Sequence, residues 1–297
     1  MPSPNPSQPL PTVFPQAPLL ALDTLWFQVA GTLCNLTCRH CFISCSPTNH
    51  AHEMLSLATV TDYLQQAEAL GVKEYYFTGG EPFMNKDMMA ILATTLKQGP
   101  ASVLTNGVLI TPRLAFELKA LADASEYSLD LRISIDGYDA PSNDAVRGEG
   151  TWERILKGIR HLAEAGLVPV ITVTEACEGA TSQAGREKFL ARLAEWGLRH
   201  PRLKIMPLLR LGAETGRTRS YAAWETLAGQ ALSAEDSVAL QCASGRMVTS
   251  RGVYVCPILI DSPEARMGEK LMDGLRPFEL KHQACYSCHA EGLSCRT

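Results

Sequence analysis

Six short runs of β-branched, aromatic and aliphatic residues constrain this chain more than any other feature. They occupy 25–30 (LWFQVA), 73–77 (KEYYF), 101–105 (ASVLT), 131–135 (LRISI), 168–174 (VPVITVT) and 203–207 (LKIMP). Segments with helical spacing lie between them, at 56–71, 86–99, 111–123, 151–166 and 185–197. Gly71 and Gly166 stop two of these helices, and a Thr cap followed by Pro112 starts a third. Strands alternating with helices predict a parallel α/β sheet, wound by right-handed crossovers into an open or closed barrel. Six units fall short of the usual eight. The last ~85 residues lose the alternation and gain cysteines, so a small second domain is expected from about residue 211. The first twenty residues hold seven prolines and read as a disordered or extended tail. The expected organisation is therefore 1–20 tail, 21–210 barrel and 211–297 cysteine-rich domain.

Charge excludes some functions. The 27 Lys and Arg nearly balance 31 Asp and Glu, and no basic stripe suited to nucleic acid appears. No apolar run reaches the eighteen or so residues that span a bilayer, and the N-terminus lacks the basic region of a signal peptide. A cytoplasmic protein without membrane contact is expected. Ten cysteines are many for such a chain. In a reducing compartment clustered thiols point to metal or redox chemistry rather than disulfides. Cys34, Cys38, Cys41 and Cys45 crowd the start; Cys242, Cys256, Cys285, Cys288 and Cys295 crowd the end; Cys177 stands apart.

In α/β architectures the reactive groups sit on loops after the strands. Here those loops are CNLTCRHC (34–41), TGGEP (78–82), TNG (105–107) and SIDG (134–137). Three thiolates from one short loop can each hold one iron of a cubane cluster, leaving the fourth iron open to a ligand. Zinc held by the same thiols and His40 is the competing reading.

Cys34-x3-Cys38-x2-Cys41 with Phe42 after it, joined by GGEP and SIDG at these places, resembles the radical S-adenosylmethionine (SAM) superfamily over residues 22 to 210. The resemblance implies a partial (β/α)6 TIM-like barrel and a [4Fe–4S] cluster on Cys34, Cys38 and Cys41. SAM would bind the open iron through its amino and carboxylate groups and be cleaved reductively to a 5′-deoxyadenosyl radical that takes hydrogen from a substrate. Gly79 and Gly80 would allow close approach of the methionyl part. Glu81 would accept from its ammonium, or else serve as a helix-start carboxylate. Ser134 and Asp136 would contact the ribose or carboxylate, Arg147 would pair with the carboxylate, and Asn106 would line the site. Thr172 and Thr174 would reach the adenosyl group.

The C-terminal cysteines run C-x13-C, then C-x2-C, then Cys295. Cys285-x2-Cys288-His289 has the form of a c-type haem attachment, which the absence of an export signal disfavours. A four-thiolate zinc site would stabilise a small domain. The layout also resembles the twitch module, a shortened SPASM domain. That resemblance implies one auxiliary [4Fe–4S] cluster on Cys242, Cys256, Cys285 and Cys288, with Cys295 and Cys45 unassigned. Such a cluster would accept an electron from a substrate radical. The expected activity is that of a radical SAM oxidoreductase or modifying enzyme acting on a small molecule or a peptide, with a flavodoxin or ferredoxin as electron donor. Peptide maturation, epimerisation or methylation is one alternative; a non-catalytic zinc scaffold is another. The proline-rich tail is too short and too poor in secondary-structure signal to read as a leader-binding domain, so a small molecule, or a peptide presented by a separate protein, is expected.

Overall fold

The computed structural model describes residues 13–198 and 200–292. In chain order its elements are β1 (Gln16–Ala17), β2 (Thr24–Gln28), α1 (Leu57–Ala69), β3 (Glu74–Thr78), α2 (Met88–Thr95), β4 (Ala101–Thr105), α3 (Pro112–Asp123), β5 (Leu129–Ser134), α4 (Ala140–Arg147), α5 (Thr151–Glu164), β6 (Val170–Thr174), α6 (Gln183–Glu195) and β7 (Arg202–Met206). There follow α7 (Ala234–Ala239), β8 (Gly245–Thr249), β9 (Gly252–Tyr254), β10 (Arg266–Gly268), β11 (Phe278–Glu279) and α8 (Gln283–Ala290).

Strands β2 to β7 pair in sequence order, all parallel. This is the six-unit α/β barrel section expected from the alternation. Side-chain alternation sorts the two faces of β2. Leu25, Phe27 and Val29 pack outward with the helices, while Trp26 faces inward with Tyr76 of β3 and Met247 of β8. Trp26 and Tyr76 are register partners, and their rings stack at 4.3 Å. Such a pair contributes about 0.5–1.5 kcal/mol beyond its area burial.

The sequence missed α4. Its signal was present: Asp139 and Ser142 form a reciprocal capping box, and Pro141 sits in the first turn. Arg147 belongs to the last turn of this helix rather than to a surface loop.

The sheet also crosses the expected domain boundary at 211. β8 pairs in parallel with β2 over Thr24–Phe27 and Gly245–Val248, and β9 and β10 continue antiparallel, giving nine strands in order β10-β9-β8-β2-β3-β4-β5-β6-β7. The C-terminal segment is thus grafted onto the first barrel strand. Part of the proline-rich tail is ordered as well. β1 pairs with β11, Ala17 is buried, and the Leu20 N–H donates to the Ala243 carbonyl. Residues 1–12 and Cys295 lie outside the described residues. Among the described residues no helix is long and apolar enough to cross a membrane.

Candidate active site and second cysteine cavity

The three-cysteine loop leaves β2 through a tight turn and is closed by a bridge between Leu33 and Ser46. Gly80 packs directly on this loop. Its N–H donates to the Gly31 carbonyl, the next N–H, of Glu81, donates to Leu33, and a Cβ on Gly80 would lie 1.9 Å from the Leu33 oxygen. Gly79 takes φ +130°, and a Cβ there would meet the Gly31 carbonyl at 2.9 Å. The close approach of two loops therefore demands both glycines. Both also line the cleft.

That cleft encloses ≈ 1340 Å³, its open mouth included. Cys34, Cys38 and Cys41, with the unassigned Cys45, share its wall with Gly79, Gly80, Asn106, Ser134, Arg147, Thr172 and Thr174. Glu81 and Asp136 are not among the residues that line it. Both are fully buried behind the wall. Glu81 accepts from the Thr105 hydroxyl at 2.7 Å, the Asn106 N–H at 2.8 Å and the Phe83 N–H at 3.1 Å. It starts a 3-10 turn and clamps the loop after β4 to the loop after β3. Burial pushes its carboxyl up, against those three bonds.

Asp136 does its work through neighbours. Its Oδ2 lies 2.6 Å from Arg147 Nη2 and 3.0 Å from His40 Nε2, and its Oδ1 accepts from the Thr174 N–H and hydroxyl, each at 2.7 Å. Burial opposes ionisation, yet Arg147, His40 and Thr174 together hold this carboxyl well below the usual carboxylate range. Asp136 thus fixes two side chains, Arg147 and His40, that do face the cleft.

The thiols are held by the same second layer. The Asn106 amide donates to Asn35 Oδ1 at 2.7 Å and approaches Cys34 Sγ at 3.8 Å. The Cys38 thiol donates to the Arg147 carbonyl at 3.9 Å, and the Cys45 N–H donates to Cys41 Sγ at 3.3 Å. Burial pushes the Cys34 thiol up to about 12, whereas the neighbouring Cys45 pulls Cys41 below the usual thiol range. His40, the fourth ligand that a zinc reading needs, is turned to Asp136 instead. Among the described residues no three His, Cys, Asp or Glu side chains converge as ligands of one metal ion. Three thiols spread along one cleft wall suit a cluster, in which each binds a different iron. Spacing gave no hint of the Asn35–Asn106 or the Asp136–His40 contact, because each joins the cysteine loop to a segment far along the chain.

The second cavity holds the other four assigned cysteines. Cys242 comes from a 3-10 turn, Cys256 follows β9, and Cys285 and Cys288 project from one face of α8 at i, i+3. The rest of the wall is almost wholly apolar, including Leu240, Val255, Leu259, Phe278 and Leu280. Burial pushes Cys242 up to about 11 and Cys256 to about 12, so as free thiols they stay protonated. Ile258 lines both cavities, two residues beyond Cys256.

A family profile described as the radical SAM superfamily matches residues 29–176. The chain belongs to the radical SAM superfamily. Its cofactors are the two this superfamily uses, SAM and a [4Fe–4S] cluster, and the donor set of the cleft fits both. The mycofactocin maturase MftC of Mycolicibacterium smegmatis is 37% identical over 135 residues, 45% of this chain and 32% of that protein. A probable GTP 3′,8-cyclase of Methanosarcina acetivorans is 35% identical over 144 residues, 46% of this chain and 41% of that protein. The chain thus spans about a third to two fifths of the length of these curated relatives. Streptococcus suis SuiB, solved bound to its precursor peptide SuiA, superposes with a TM-score of 0.66 over 87% of this chain and 65% of that one at 16% identity, a likeness of fold.

Proposed function

We propose that this chain is a radical SAM peptide-modifying enzyme with an auxiliary [4Fe–4S] cluster on Cys242, Cys256, Cys285 and Cys288. The observation that carries the reading is the shared wall: Ile258 separates the cleft lined by Cys34, Cys38 and Cys41, with Cys45 beside them, from a cavity lined by Cys242, Cys256, Cys285 and Cys288. When bound, the first cluster and SAM supply a carbon-centred radical able to take a substrate hydrogen. The residues around them bind and orient. Arg147, anchored by Asp136, presents its guanidinium to the methionyl carboxylate. Backbone at Gly79 and Gly80 takes the ammonium, and Ser134, Thr172 and Thr174 take the ribose and base. A closed four-thiolate site one residue from the cleft is placed to pass a single electron to or from the substrate.

The cleft wall favours a peptide over a nucleotide. Arg147 and His40 are its chargeable side chains, and Asp136 engages both. A triphosphate would find no further cation there among the described residues. Trp26, Leu104, Met206, Leu209, Met247 and Ile260 instead offer apolar surface to a substrate side chain. The mycofactocin maturase and SuiB, one named for a maturation and the other solved with a precursor peptide, agree with this choice.

The test is anaerobic reconstitution followed by incubation with SAM, dithionite and a cell extract from the source organism. Iron near about eight atoms per chain, and 5′-deoxyadenosine formed together with a mass change in a peptide, are expected. A colourless, zinc-loaded protein would refute the cluster reading; mass changes confined to small molecules would refute the peptide.

A further inference from the structure

Among the described residues Arg246 has no counter-ion. It is 1% exposed and lies in β8, four residues after Cys242. Its guanidinium donates to four backbone carbonyls: Cys242 at 2.6 Å, Gly245 at 2.7 Å, Gly274 at 2.8 Å and Arg276 at 2.9 Å. Among the described residues no carboxylate lies within ion-pair distance of it. Neutral carbonyls satisfy its N–H groups but leave the charge itself uncompensated, and an unpaired buried charge is costly. Burial accordingly pulls the group down to about 10, and the groups that favour its charged form are Cys242 and Cys256. Arg147, buried beside the cleft, has Asp136.

We propose that Arg246 is the built-in counter-charge of the cluster held by Cys242, Cys256, Cys285 and Cys288, and raises its reduction potential. The assignment rests on the auxiliary cluster proposed above. Four thiolates around [4Fe–4S]2+ carry a net charge of −2. Adding one electron makes it −3, with no bond formed or broken. A fixed cation beside Cys242 stabilises the more negative state, so it favours uptake of that electron. Its four carbonyl bonds also tie the Cys242 turn to the 274–276 turn, which keeps the charge in place.

The test uses the full chain carrying Cys34→Ala, Cys38→Ala and Cys41→Ala, so that only the second site contributes iron. Arg246→Lys keeps the charge and Arg246→Gln removes it, while both lose the guanidinium fork. Each is reduced stepwise with dithionite and followed by electron paramagnetic resonance. The Gln variant is expected to titrate at the lower potential, with about a tenfold difference in oxidised-to-reduced ratio at a fixed potential, or ~59 mV for one electron. Equal midpoints at equal iron content would overturn the assignment. A background chain that binds no iron would instead remove the cluster reading on which it rests. If either variant loses its iron, melting of the two cluster-free proteins decides. The Gln form should melt at or above the Lys form, because without the cluster the charge is only a burden. A lower melting point for Gln would mean that the charge stabilises the protein without any cluster, and would overturn the proposal.

Discussion

The two cysteine sites solve opposite problems. At the first, the three thiols assigned to the cluster sit on an irregular loop in an open cleft, and polar neighbours approach each of them: Asn106 at Cys34, the Arg147 carbonyl at Cys38, the Cys45 N–H at Cys41. At the second, four thiols come from a turn, a strand end and a helix, and apolar side chains make up most of the rest of the wall. A centre that must bind and release a ligand needs an open position and a polar surround to orient that ligand. A centre that only passes electrons needs full ligation and exclusion of water. The difference in ligand count predicts a difference in what each site tolerates.

The largest effect is expected at the first site. Cys38→Ala should drop SAM cleavage to background and remove about four irons per chain, leaving the rest in place. Iron analysis and deoxyadenosine quantification check this; cleavage continuing at the wild-type rate would break the contrast. Cys256→Ala should do the reverse. It should lose a comparable amount of iron and abolish substrate modification, while uncoupled SAM cleavage stays within roughly threefold of wild type. Loss of both activities together would mean that the second site supports the barrel rather than the chemistry. The continuity of β8 with β2 makes that comparison necessary.

Asp136→Asn probes the anchoring layer. It leaves Arg147 buried without its partner, which costs about 3–5 kcal/mol of stability, and should weaken SAM binding about 10–100-fold, as loss of an orienting partner does elsewhere. The pH dependence has a definite sign. The folded-state acidity of Asp136 lies below its unfolded value near 3.9, so its contribution is present above that value and lost as pH falls through the folded one. The difference in melting temperature between wild type and the Asn variant should therefore be flat from pH 8 to about 5. A difference that closes within that window would show the carboxylate is not held as described.

The barrel was legible because hydrophobic period decides it. All six strands fall within three residues of the segments read from the sequence, since a buried parallel strand must be a short β-branched or aromatic run bounded by turn residues. The thiols were legible because their spacing is local. What was not legible depends on contacts far apart in the chain. Asp136 and Glu81 carry the same motif letters whether they face a ligand or stand behind the wall, and only the packing of α4 and of the loop after β4 decides. The pairing of β8 with β2 spans more than two hundred residues, so no local pattern marks it. Residues 13–20 read as tail because proline composition reports local stiffness and says nothing of a distant strand edge at β11.

The smallest expected effect distinguishes the two roles of Glu81. The side chain accepts three hydrogen bonds, two of them from the loop after β4, and shows no surface to the cleft. Glu81→Gln keeps its size but replaces one acceptor oxygen by a donor, which faces either the Asn106 N–H or the Thr105 and Phe83 donors. One buried donor is left unsatisfied in either orientation, at a cost of about 1–3 kcal/mol. Because burial already pushes this carboxyl up, replacing a reluctant anion with a neutral amide offsets part of the loss. The variant should therefore melt lower while binding SAM within roughly threefold of wild type, as isothermal titration of the reconstituted protein would read. A clamp acting through the loops after β3 and β4 predicts that pattern. A carboxylate bonded to the methionyl ammonium predicts the opposite one, with affinity falling by about tenfold or more and little change in melting.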